Sequence, residues 1–239
     1  NNTVTTLTNF FNASRIRNTS QLVGTKIYIP QHNGTALEII DTTNNTVTTY
    51  ANFFNASRYR YTSQLVGTKI YIPQHNGRGL DIIDTTNNTV TTDTGFFSAS
   101  WNRYISHLVG TKIYIPQGSG TALQIIDTTN NTVTTLDNFF NASRFRITSQ
   151  LVDDKIYIPE YRGTALEIID TTNNTVTTLP NFFNASREKE TSQLVGTKIY
   201  IPEYSGTGLE IIYTTNLIAQ ALPVRNNTET QRRQVSSSS

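Results

Sequence analysis

The feature that most constrains this chain is a 43-residue repeat. The string NNTVTT begins at Asn1 and returns at Asn44, Asn87, Asn130 and Asn173, and KIYIP returns at the same interval from Lys26. Residues 1–43 and 44–86 are identical at 36 of 43 positions. Repeats of this length are single supersecondary units that bury a core only by stacking on their neighbours. We therefore predict five units, 1–43, 44–86, 87–129, 130–172 and 173–215, followed by a tail or linker, 216–239.

Each unit contains four short runs rich in β-branched and aromatic residues. The first full set of four lies at 19–23, 26–30, 36–41 and 46–50, the last of them at the start of the second unit, and Gly, Pro, Asn or Asp residues stand between them. This composition is typical of strands joined by tight turns. Four strands in a unit of about 40–50 residues are the pattern of a propeller blade. The sequence predicts an all-β fold, a five-bladed β-propeller of four-stranded blades.

The two ends of the repeat array are out of phase. The chain opens on a fourth-strand sequence at residues 2–7, and the last unit stops after its third strand at residues 208–213. A strand supplied from the other end of the chain removes a free sheet edge, which would otherwise pair with other chains. We therefore expect the N-terminal strand to complete the last blade and to close the ring.

Two segments carry a family resemblance. The hairpin from Ile39 to Val47, IIDTTNNTV, resembles that of kelch repeats and of YVTN-type surface-protein propeller repeats. Residues 22–29, LVGTKIYI, resemble the kelch strand pair, and Arg15 stands where kelch repeats often place an arginine. The chain has Pro-Gln where kelch repeats have a double glycine. The resemblance covers all five units and implies a propeller scaffold with no particular chemistry.

One face of the predicted propeller varies between units. It combines the loops between second and third strands with the connectors that lead from one blade to the next, and both are rich in Arg and aromatic residues. Binding residues concentrate on loops held by a rigid scaffold, and this composition suits carboxylate-bearing glycans or a protein partner. The alternative is that the arginines only solvate this face and stack on the repeated Phe-Phe pairs. The candidate ligand contacts are Arg15, Arg17, Arg58, Tyr59, Arg60, Arg78, Trp101, Arg103, Arg144, Phe145, Arg146, Tyr161, Arg162, Arg187 and Tyr204.

The sequence contains few residues suited to catalysis or metal binding. The chain has no cysteine and three histidines, and the counterparts of His32 and His75 in the other units are Gly or Tyr, so we interpret these two histidines as loop polarity. No nucleophile, phosphate-loop or dinucleotide motif occurs. We predict no catalytic residue, no metal, no cofactor and no enzyme activity. The net charge of +2 argues against a nucleic-acid partner, and no apolar run is long enough to span a membrane.

Twelve asparagines begin an Asn-X-Ser/Thr acceptor sequence. They are Asn1, Asn12, Asn18, Asn33, Asn44, Asn55, Asn87, Asn130, Asn141, Asn173, Asn184 and Asn226. Asn-Asn-Thr also suits a tight hairpin, because Asn tolerates a positive φ. That explanation accounts less well for the Asn-Ala-Ser series in the connectors. We predict N-linked glycans and an extracellular or cell-surface location.

The residues after the repeats add a possible contact between copies. Segment 217–224, which begins at Leu217 and ends at Val224, is apolar enough to dock on its own propeller or on a neighbour. A head-to-tail contact of this kind forms a filament when the rotation does not close. The sequence favours a non-enzymatic, glycosylated structural or adhesive building block. The alternative is a multivalent lectin with five equivalent pockets on the Arg/aromatic-rich face.

Overall fold

The structure, a computed structural model, describes residues 2–215, which form a five-bladed β-propeller of antiparallel sheets. The predicted all-β fold and the predicted number of blades are confirmed. Asn1 and residues 216–239 lie outside the described residues. The predicted docking segment 217–224 and the acceptor sites at Asn1 and Asn226 therefore stay predictions.

The long strands recur in the same order from blade to blade. The first blade and its loop contain β1 (Gln21–Val23), β2 (Lys26–Pro30), the two-residue strand β3 (Asn33–Gly34), β4 (Leu37–Asp41) and β5 (Thr46–Tyr50). There follow β6 (Arg58–Tyr59), β7 (Gln64–Val66), β8 (Lys69–Pro73), β9 (Leu80–Asp84) and β10 (Thr89–Asp93). Then come β11 (His107–Val109), β12 (Lys112–Pro116), β13 (Ser119–Gly120), β14 (Leu123–Asp127) and β15 (Thr132–Leu136). The last are β16 (Arg144–Phe145), β17 (Gln150–Val152), β18 (Lys155–Pro159), β19 (Arg162–Gly163), β20 (Leu166–Asp170), β21 (Thr175–Leu179), β22 (Arg187–Glu188), β23 (Gln193–Val195), β24 (Lys198–Pro202) and β25 (Leu209–Tyr213).

Each blade takes its fourth strand from the start of the next repeat. Blade 1 has the order β1-β2-β4-β5, blade 2 β7-β8-β9-β10, blade 3 β11-β12-β14-β15 and blade 4 β17-β18-β20-β21. The inner strands are buried on both faces, because each sheet is packed between two neighbours. The fourth strands alternate exposed and half-buried residues, as expected at the rim of a propeller.

Among residues 2–215 the hydrophobic core forms four clusters, each between two successive blades. In the first, Tyr28 and Leu37 of blade 1 pack against Phe54, Ile70 and Ile83, which belong to blade 2 and the connector leading into it. Equivalent residues form the clusters between blades 2 and 3, 3 and 4, and 4 and 5. The second phenylalanine of four Phe-Phe pairs is buried in these clusters between two blades: Phe54, Phe97, Phe140 and Phe183. Each buried side chain of this size contributes about 1.5–3 kcal/mol of transfer free energy.

The hairpin between the third and fourth strands has the same geometry in successive blades. The Asn44 side-chain oxygen accepts a hydrogen bond from the Thr46 backbone N–H at 3.1 Å, and Asn45 has φ 55°. In the next hairpin Asn88 Oδ1 accepts from the Tyr28 hydroxyl of the preceding blade at 2.9 Å. Hydrogen bonds from Thr43 to Asp41 lower the pKa of that carboxyl below its usual value. The hairpin asparagines therefore have a structural role, whether or not they carry sugar.

The expected closure by the N-terminal strand is not formed. Residues 2–7 adopt no strand in the structure, Val4 is 93% exposed, and the described part of blade 5 has the three strands β23-β24-β25. Sequence identity with the other fourth strands specifies what residues 2–7 can pair with. It does not ensure that the edge of β25 lies within reach of the same chain's N-terminus.

Hydrogen bonds along the first strands also link successive blades. Gln21 Nε2 donates to the Ser63 carbonyl at 2.8 Å, and Gln64 and Gln150 make the same bond to the serines of the following units. Blade 3 has His107 at this position, and its Nε2 lies 2.6 Å from Ser149 Oγ. Burial lowers the pKa of His107 to about 4, so its ring is neutral at pH 7.

Replacing His107 with Gln, the residue of the other four units, should remove a pH dependence of stability. The unfolded chain binds a proton with a pKa near 6.5 and the folded chain near 4, so stability present above pH 6.5 is lost as the pH falls toward 4. Between pH 7 and pH 4.5 the unmodified protein should lose about 2 kcal/mol more unfolding free energy than His107→Gln. Urea unfolding at the two pH values measures this, and parallel losses would show that His107 is not the titrating group.

Candidate functional site

The variable face is built from contacts between blades. β3 pairs with β6, β13 with β16 and β19 with β22, so the loop of one blade forms a two-stranded sheet with the connector leading into the next. The His75 N–H also donates to the Tyr59 carbonyl at 2.8 Å. The loops and connectors therefore lie on one face, as predicted, and their backbones hold neighbouring blades together.

A buried arginine lies beneath this pairing. The guanidinium carbon of Arg60 lies 3.7 Å from the centroid of the Phe54 ring. Its Nη1 donates to the Gly34 carbonyl of the preceding blade at 2.8 Å, and its Nη2 donates to Asp81 of the following blade at 2.9 Å. One side chain thus connects two blades through a cation–π contact, a carbonyl and a carboxylate, all away from water.

The same arrangement recurs with substitutions at its acidic member. Arg146 lies 3.8 Å from Phe140 and pairs with Glu167. Arg103 lies 3.8 Å from Phe97 but donates to the neutral Gln124 at 2.8 Å. Because no carboxylate offsets its burial, the pKa of Arg103 falls to about 9, which still leaves it charged at pH 7.

These contacts remove three residues from the predicted ligand surface. Arg60, Arg103 and Arg146 are at most 1% exposed, and the bonds above engage them, so none can reach a bound molecule. The repeat did contain a signal for this role: one polar residue, such as Glu38, stands among the apolar residues that precede the final Asp of the third strand. A polar side chain in a strand that is buried on both faces needs a hydrogen-bonding partner, and here that partner is the connector arginine.

The remaining predicted contacts divide into two groups. Tyr59, Arg78, Phe145, Arg162 and Tyr204 are exposed, and Arg15, Arg17, Arg58, Trp101, Arg144, Tyr161 and Arg187 are partly buried. Several of the arginines have local partners. Arg58 donates to Gln74 at 3.0 Å, and Arg187 donates to Glu203 at 2.7 Å. Among the exposed contacts, Tyr59, Phe145 and Tyr204 are aromatic, and Arg162 is paired with Glu188.

Sequence reasoning missed an aromatic–histidine cluster on the same side. The Tyr61 ring lies 4.4 Å from both His32 and His75, and Tyr104 lies 4.5 Å from His75. Both histidines are buried, which corrects their interpretation as loop polarity. The Arg103 N–H donates to His75 Nδ1 at 3.1 Å, and burial lowers the pKa of His75. Within residues 2–215 no three His, Asp or Glu side chains are grouped as metal ligands.

All acceptor asparagines that the structure describes are exposed. They are Asn12, Asn18, Asn33, Asn44, Asn55, Asn87, Asn130, Asn141, Asn173 and Asn184. The hairpin series and the connector series lie at opposite ends of the blades. Where the hairpin asparagines form turn hydrogen bonds, they use the side-chain oxygen and leave the amide nitrogen, the atom that carries a glycan, on the surface.

Comparison with known proteins confirms a repeat-type β-propeller. The Pan2 WD40 domain of Neurospora crassa matches 83% of this chain and 62% of its own at a TM-score of 0.61 and 9% identity. PorZ, a surface component of the type-IX secretion system of Porphyromonas gingivalis, matches 85% of this chain at a TM-score of 0.58 and 14% identity. The extracellular domain of the BT4673 system of B. thetaiotaomicron matches 82% at a TM-score of 0.60 and 11% identity.

At these identities the likeness establishes the fold alone. The chain spans 27% of the PorZ and BT4673 chains. No known protein family matches the sequence, and no curated protein matches it. Among residues 2–215 no helix has the length and apolar character to cross a membrane.

The buried arginine can be tested at Arg146. Arg146→Met should lower the unfolding free energy by about 3 kcal/mol, because it removes the hydrogen-bonded partner of buried Glu167 and leaves only Arg144, whose Nε lies 3.9 Å away. Arg146→Lys is the matched control, since Lys189 occupies the equivalent position beside Phe183, and it should cost less. Urea unfolding of both variants measures the difference. A fully stable Arg146→Met protein would contradict the structural role.

Proposed function

We propose that this propeller is a non-enzymatic, N-glycosylated structural or adhesive building block at the cell surface or outside the cell. The observation that carries the proposal is the exposure of every acceptor asparagine among the described residues. The solved structures that it resembles include an extracellular domain and a bacterial surface component, which supports the location.

The contacts that the polar side chains make support a structural role. The connector arginines, the third-strand acids and the first-strand Gln-Ser pairs are used in joining blades. Burial lowers the pKa values of His75 and His107, which disfavours their charged forms. Groups of this kind stabilise a rigid scaffold and leave few side chains for acid–base chemistry.

A multivalent lectin is the second candidate. Its support is the exposed aromatic surface on the variable face, where Tyr59, Phe145 and Tyr204 stand at loops and connectors of different units. Aromatic rings stack on the apolar faces of sugars, and repeated weak sites gain avidity. The differences between units at these positions argue against five equal pockets.

Glycan mapping tests the first proposal. After secretion from a glycosylating eukaryotic host, glycopeptide mass spectrometry should find sugar on Asn12, Asn55, Asn141 and Asn184. The equivalent peptide of the third unit carries Ser98 instead of Asn and is an internal negative control. Unmodified connectors on a folded, secreted protein would contradict the proposal.

A glycan array tests the second candidate. Lectin activity predicts binding that Tyr204→Ala weakens, whereas Tyr213→Ala, at an exposed aromatic on the opposite end of β25, should leave it unchanged. Absence of binding by the folded protein would eliminate the lectin and leave the structural proposal standing.

A further inference from the structure

The two ends of the blade array expose the two halves of one interface. We define the leading face as Phe10, Phe11, Arg17 and Leu22 at blade 1, and the trailing face as Val195, Tyr200, Leu209 and Ile211 at blade 5. Within residues 2–215 apolar clusters join blades 1–2, 2–3, 3–4 and 4–5, and none joins blade 5 to blade 1. Both faces therefore lack the neighbour that their counterparts have.

Exposure of equivalent residues shows the difference directly. Leu209 is 57% exposed, whereas its counterparts Leu37, Leu80, Leu123 and Leu166 are at most 1% exposed. On the other end Leu22 is 61% exposed, whereas Leu65 and Leu108 are half-buried against the preceding blade. An open groove of about 530 Å³, lined by Phe10, Phe11 and Arg17 among others, lies at the leading face.

The polar groups of the two faces also match. The Phe54 N–H donates to the Thr35 carbonyl and Arg60 to the Gly34 carbonyl, both of the preceding blade. The repeat places Phe11 and Arg17 at the donor positions of the leading face. Thr207 and Gly206 hold the matching acceptor positions at the trailing face.

The fourth-strand position of blade 5 has a matching segment. Residues 3–7, TVTTL, are identical to β15 and β21, and they form no strand in the structure. β21 pairs with β20 in the register Ile169 with Val176. In the same register Val4 would pair with Ile212 of β25.

We propose that the trailing face of one chain binds the leading face of a second copy, whose residues 3–7 become the fourth strand of blade 5. Among residues 2–215 nothing covers either face, and the two faces do not meet. This inference is independent of the proposed function, because it rests on the repeat geometry alone.

Sedimentation velocity of single-face variants tests the proposal. The unmodified protein should form dimers or larger assemblies with increasing concentration. Leu209→Asp and Leu22→Asp should each weaken self-association at least tenfold, because the interface would bury an unpaired carboxylate. Tyr50→Asp is the matched control, since Tyr50 is also exposed and Asp93 occupies its position in blade 2; it should associate normally.

Mixing the two variants gives the decisive readout. Each retains one intact face, so an equimolar mixture should form a one-to-one dimer that neither forms alone. A monomeric unmodified protein would overturn the proposal and indicate that the faces are covered within the chain. Association that survives both substitutions would also overturn it and indicate another contact, such as segment 217–224. Circular dichroism of each variant confirms that it is folded.

Discussion

Every described boundary between blades depends on a buried cation that lies on a phenylalanine ring. At the first boundary Arg60 covers Phe54, reaches back to the carbonyl of Gly34 and forward to Asp81. The connector must have a backbone conformation that places the arginine side chain between the blades. The loop of the preceding blade must orient its carbonyl toward the guanidinium. The loop–connector pairing and the wedge position of the phenylalanine follow from this requirement. Burying a charge is costly, and at this boundary the ring, the carbonyl and the carboxylate together offset that cost.

The contacts at each boundary are asymmetric, so the array of blades has two different ends. Each blade presents one set of groups to its predecessor and a complementary set to its successor, so an array of such blades ends in two different, matching surfaces. Glycosylation does not conflict with contact between those surfaces. Asn55, Asn141 and Asn184 remain exposed at boundaries where two blades are already packed, and Asn12 occupies the equivalent position. A sugar there can point into solvent while the blades meet.

The period and the turn chemistry were sufficient to predict the fold. Strand β5 was predicted to the residue, and its neighbours to within two, because Gly, Asn and Asp punctuate every unit. The roles of Arg60 and His75 were not predictable in the same way, since burial depends on which segment of another blade covers a residue. Closure by residues 2–7 failed for a related reason. The sequence of residues 2–7 matches the other fourth strands and so favours pairing with a third strand. Whether the third strand of blade 5 lies within reach depends on the curvature of the whole array of blades.

His107 makes one boundary unlike the others. Repeat arrays unfold according to the strength of each neighbouring contact, so equal contacts would allow opening at any boundary. Here a neutral imidazole joins blade 3 to blade 4 through Ser149, where glutamine does so at other boundaries. Protonation of this buried imidazole in acid weakens the boundary between blades 3 and 4, which has three blades on one side and two on the other. A single departure from the repeat thereby makes the strength of one boundary depend on pH.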